Sequence, residues 1–147
     1  MEDENEDENC IVEREVLEFL LVRIGEMINC HKKKELLFVR QDFYPRHNVS
    51  YPPDSVNREK NESDDIYYLF VELFKMITGE YPPMGFQVNR GATKLLKRKM
   101  IGWESGESLS NLFRICTSLN QRARPHNIDV LMELPDFRNL HLYQDIE

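Results

Sequence analysis

The stretch from Asp65 to Pro83 is the strongest constraint on what this chain can fold into. Ile66, Leu69, Phe70, Leu73, Phe74 and Ile77 recur at three- and four-residue spacing, and Tyr67, Val71 and Met76 widen the stripe. A helix that is apolar over most of its circumference has to be surrounded by other elements rather than laid on a surface. Its ends are marked by chemistry. Ser63 or Asp64 is the expected N-cap, with acids in the first turn where the helix dipole favours them. Gly79 supplies the left-handed stop, and Pro82-Pro83 prevent continuation.

The flanking sequence supplies candidates for those surrounding elements. From Val12 to Asn29, Val16, Leu17, Leu20, Leu21, Ile24, Met27 and Ile28 predict a helix with a broad apolar face. Lys32-Lys33-Lys34 follows it. A basic triplet can bind phosphate, but at a helix C-terminus the dipole alone accounts for it. Leu36-Leu37-Phe38-Val39 reads as a short strand, and the Pro- and Asn-rich residues 44–62 read as a loop. Glycines break residues 84–107 into pieces, of which Thr93–Met100 is the best helix. Trp103 is expected as a buried anchor. Ser108 or Ser110 is expected to cap a helix reaching about Leu119, with Cys116 on its apolar face. Asn127–Leu134 predicts a final helix ended by Pro135, and Phe137, Leu140 and Leu142 are placed to pin the C-terminal tail. The fold class is therefore mainly α: a helical bundle with at most a short strand or hairpin near 36–43.

The 147 residues amount to about one domain. The net charge of −7 comes from one place: Glu2, Asp3, Glu4, Glu6, Asp7 and Glu8 form an acidic run. Taking these six from the 26 acidic residues leaves 20 against 19 basic ones, so the rest is near neutral. Such a run without apolar residues reads as a disordered acidic tail over 1–9, ahead of a single domain over 10–147. No apolar run approaches bilayer-spanning length, and no secretory leader is seen, so no membrane partner is expected. Cys10, Cys30 and Cys116 are an odd set without C-x-x-C spacing, which reads as free thiols in an intracellular, reducing compartment. His31, His47, His126 and His141 are scattered, and no metal-ligand spacing or nucleophile elbow occurs. No catalytic, cofactor-binding or metal-ligating residue is assigned.

Several short segments, taken together, resemble the C-terminal lobe of the eukaryotic protein kinase family. Tyr51-Pro52-Pro53-Asp54 is similar to the Ala-Pro-Glu motif that ends the family's activation segment. Asp65-Ile66-Tyr67-Tyr68 and Thr78-Gly79-Glu80-Tyr81-Pro82 resemble the start and exit of its buried central helix. Leu112–Pro125 resembles a later helix with its Arg-Pro loop, and Ile128–Phe137 the last helix. The order and approximate spacing agree over residues 50–140. The resemblance implies that Asp54 pairs with Arg124, an arginine fork on a carboxylate, and that Asp65 holds backbone amides of what would be the catalytic loop. A plain helix-start acid is the other reading of Asp65.

The catalytic parts of that family have no counterpart here. Phosphoryl transfer needs a glycine-rich cover, a strand lysine, a catalytic Asp and metal-binding Asn and Asp. About 60 residues precede the matched helix, too few for a nucleotide-binding lobe. No Gly-x-Gly-x-x-Gly occurs, and no His-Arg-Asp lies between the first helix and Leu36. In Gln41-Asp42-Phe43-Tyr44, tyrosine stands where Asp-Phe-Gly has glycine. The expected function is a pseudokinase-like, non-catalytic interaction module or scaffold with a protein partner or homodimer and no bound nucleotide. The alternative is an unrelated all-helical regulatory adaptor. A weaker one is nucleic-acid binding through Lys32–Lys34 and the basic stretch Lys94, Lys97, Arg98 and Lys99, which lacks interleaved aromatics. Those four cations are the candidate partner contact.

Overall fold

The periodicity at Asp65–Pro83 marks a helix that other helices enclose. The computed structural model describes residues 2–38, 59–82 and 87–142, and for 2–11 and 87–90 the backbone alone. Among them lie six α-helices: α1 (Glu2–Lys32), α2 (Glu62–Thr78), α3 (Gln87–Lys99), α4 (Gly106–Cys116), α5 (Ile128–Glu133) and α6 (Pro135–Arg138), with a 3-10 turn at Gln121–Ala123. The protein is mainly α. The described part of the expected strand, Leu36 to Phe38, is irregular, bending at Leu37 and Phe38, and Val39 to Phe43 lie outside the described residues.

Helix α2 packs against α1, α3 and α4, and α4 in turn against α3 and α6. Ile66, Tyr67, Leu69, Phe70, Val71, Leu73 and Phe74 are all buried. Phe74 stacks on Phe113 of α4 with ring centroids 5.2 Å apart. Helix α1 contributes a narrower stripe than its composition suggests: Val16, Leu20, Ile24 and Met27 are buried, while Leu17, Leu21 and Ile28 flank it half-buried. Ala92, Leu96 and Met100 of the α3 segment, Trp103, and the C-terminal Phe137, Leu140 and Leu142 close the core.

Helix starts differ from the sequence expectation in ways that local chemistry explains. The cap of α2 is Asn61, not Ser63 or Asp64: Asn61 Oδ1 accepts from the Asp64 amide, and Asp64 Oδ2 accepts from the Asn61 amide. This reciprocal capping box serves two otherwise orphaned donors. The N-cap of α4 is Ser105 rather than Ser108 or Ser110, and the helix ends at Cys116, short of Leu119. Glu13 of α1 lies at that N-terminus, and its Oε2 accepts from the Ser105 amide (2.9 Å) and hydroxyl (2.6 Å). Helix α3 begins six residues before Thr93, running through Gly91. Pro135 ends α5 and also opens α6, as a proline tolerated in the first helical turn. Helix α1 starts at Glu2, within the acidic run read as a tail.

The C-terminus of α1 turns sharply. The Glu35 amide donates to Cys30 O (2.9 Å) and the Lys34 amide to His31 O (3.0 Å), with Lys34 at φ +61°. This is a Schellman turn whose left-handed position holds a lysine. Gly79 fills the equivalent place after α2, at φ +88°, its amide donating to Lys75 O. The same left-handed φ on two different residues gives a prediction of opposite signs. In urea titrations Lys34→Gly should stabilise by about 0.5–1 kcal/mol, and Gly79→Ala, which meets no steric neighbour, should destabilise by about 1 kcal/mol.

Candidate functional site

Two adjacent acids open α2, and both are fully buried. Helical geometry sends neighbouring side chains about 100° apart, so Asp64 and Asp65 reach different partners. Asp65 faces the end of α1. Its Oδ2 accepts from His31 Nε2 (2.8 Å) and the Leu37 amide (2.9 Å), and its Oδ1 accepts from the Phe38 amide (2.8 Å). The Schellman turn at Lys34 carries the chain back so that these amides can reach it. Phe38 then stacks on Tyr68, one turn along α2, with centroids 4.9 Å apart. A buried carboxylate is tolerated only when its oxygens are supplied with donors, and Asp65 receives at least three.

Asp64 faces the C-terminal half of the chain. Arg124, 2% exposed, donates from Nη2 to Asp64 Oδ1 (3.3 Å) and from Nη1 to Ser118 O (2.7 Å). Its guanidinium carbon lies 5.6 Å from the Tyr67 ring centroid. The first turn of α2 therefore ties together three parts of the chain: the end of α1 with residues 37–38, its own cap at Asn61, and the loop between α4 and α5.

A cleft of about 290 Å³ opens beside this junction, lined by Ile28, His31, Lys32, Glu62, Asn127, Ile128 and Asp129. The His31 side chain is 6% exposed, and its Nδ1 lies 2.9 Å from Glu62 Oε1 but out of line for a hydrogen bond. Among the described residues no group of three or more His, Cys, Asp or Glu side chains is placed to hold a metal ion. The carboxylates of the junction are engaged with N–H donors, so the arrangement fixes backbone and helix ends.

Of the residues that the sequence singles out, Asp65 and Arg124 are brought to the same turn of α2. Asp54 lies outside the described residues. Asp64 and His31 were not anticipated as partners here. The Asn61…Asp64 spacing of a capping box was the available signal for Asp64; nothing local marks His31. Lys94, Lys97, Arg98 and Lys99 are exposed on the last turns of α3, far in sequence from the junction. Cys116 is buried on α4, and burial pushes its thiol well up from the ordinary 9.0, with Arg124 opposing weakly. Comparison with known proteins gave no matching family model, no matching curated protein and no matching solved structure. No helix among the described residues is long and apolar enough to cross a membrane.

Two expectations follow. Arg124→Ala leaves Asp64 short of a donor in a buried site and should cost about 3–5 kcal/mol in chemical denaturation; combined with Asp64→Ala, the loss should fall below the sum of the single losses. For the thiols, native-state alkylation should label Cys30, which is half-buried, well before Cys116. The raised Cys116 thiol also sets a sign. Its contribution is complete below about pH 9, where the thiol is neutral in both states, and is lost as pH rises further and only the unfolded chain ionises.

Proposed function

We propose that this chain is a non-catalytic interaction module built on a helical domain like the kinase C-lobe. One observation carries the reading. The carboxylate at the start of the largely enclosed central helix, Asp65, takes the amides of Leu37 and Phe38, directly after the Cys30–Leu36 run in which the resemblance would put the catalytic loop. A merely dipole-favoured acid would face solvent at the helix start; Asp65 is buried and bonded into another segment of the chain. The exit of the same helix supports the reading too. Thr78 Oγ1 lies 2.8 Å from Phe74 O, Tyr81 donates to Glu72, and the Lys75 ammonium sits 4.4 Å from the Tyr81 ring centroid, which fixes the Thr-Gly-Glu-Tyr-Pro turn.

The internal sequence argues against phosphoryl transfer. The run from Cys30 to Leu36 has no room for a His-Arg-Asp loop, and Tyr44 stands in place of the glycine after Asp42-Phe43. Without a positioned base and metal ligands, little remains to orient or stabilise a transferring phosphoryl group. What such a scaffold offers is surface.

Mg-ATP provides the test. A ligand at 100 times its dissociation constant adds about 2.7 kcal/mol of stability. Mg-ATP should leave the thermal midpoint unchanged, and no phosphate should appear on the chain or on a generic acceptor protein. A saturable upward shift, or transferred label, would overturn the non-catalytic reading.

A further inference from the structure

A shallow groove of about 380 Å³ runs between α1 and α2, lined by Glu15, Glu18, Phe19, Val22, Arg23 and Met76. Its floor is apolar and open: Val22 is 54% and Met76 40% exposed. Arg23 does not give it a positive rim. The guanidinium lies 5.0 Å from the Phe19 ring centroid and is paired to Glu26 at 2.6 Å. Glu15 and Glu18 are exposed and, among the described residues, hold no cation. The groove is thus an apolar floor under an acidic rim.

The same chain carries the complementary shape elsewhere. Lys97, Arg98 and Lys99 end α3, all exposed, and Ile101 follows in the turn to α4 at 71% exposure, ahead of Gly102 at φ +89°. A large aliphatic side chain held out at a tight turn beside three cations is an apolar anchor with a basic collar. Within one copy the two do not meet, since Ile101 is exposed and the groove is open. We infer that the groove receives the Ile101 turn of a second copy of this chain, with Ile101 against Val22 and Met76 and the α3 cations facing Glu15 and Glu18. Opposed charge fixes orientation and speeds encounter, while the buried apolar anchor holds the contact. Groove and turn are different surfaces, so the contact is heterologous and closes only if two copies exchange it reciprocally. This inference rests on the interaction-module reading and names its partner.

Sedimentation velocity over a concentration series tests it. The wild-type chain should self-associate, and added salt should weaken the association because the collar–rim attraction is screened. Val22→Asp and Ile101→Asp, both at exposed positions, should each weaken it at least about tenfold. Mixing the two variants should restore one-to-one pairs, because one intact groove meets one intact turn. A wild-type chain that stays monomeric, an Ile101→Asp chain that associates like wild type, or a mixture that does not recover would each overturn the contact. The two readings fail separately: a monomeric chain with a null Mg-ATP response removes only the self-contact, and an Mg-ATP response removes only the non-catalytic reading.

Discussion

The described structure depends on two carboxylates side by side in the first turn of α2. Asp64 and Asp65 are buried at the positive end of the helix dipole, where negative charge is favoured. That alone would not offset the loss of water. Each oxygen is therefore matched with an N–H donor from outside the helix: His31, Leu37 and Phe38 on one side, Arg124 and the helix's own Asn61 cap on the other. Removing one donor leaves a buried charge short of a partner, which is far costlier than removing a surface ion pair. The pair thus converts a helix that any bundle could enclose into one with a fixed neighbourhood.

Packing and polar ties divide the labour. The apolar stripe of α2 is non-directional: Phe70, Leu73 and Phe74 would be content against many arrangements of α1, α3 and α4. Hydrogen bonds with direction select among them. Asp65 sets where the chain returns after α1, Arg124 sets where the loop before α5 lies, and Glu13 pins the far end of α1 to the start of α4. This division explains how the outer surfaces of α1 and α3 are left open for contacts without loosening the core.

Local signals in the sequence located most of the helices. The stripe and the Gly79 stop place α2 closely, and the Phe137, Leu140 and Leu142 anchors are buried as their spacing suggests. Helix starts were less legible, because the donors and acceptors that cap them come from elsewhere. Asn61 outcompetes Ser63 through a reciprocal bond, and Ser105 is served by Glu13, 92 positions away. The contact of Arg124 with Asp64 had no local signal, since the two are 60 positions apart. The run Leu36–Val39 has strand composition, yet the amides of Leu37 and Phe38 donate to a side chain instead of a neighbouring strand. Composition cannot distinguish these two destinations for a backbone donor.

Hydrogen exchange at the Leu37 and Phe38 amides tests most directly whether Asp65 organises the junction. Both lie in a short irregular segment that would exchange freely without a tie. The expected result is slow exchange of both amides in the wild-type chain, approaching that of the α2 core, and loss of that protection in Asp65→Ala while the α4 amides stay protected. Fast exchange at both positions in the wild-type chain would contradict it.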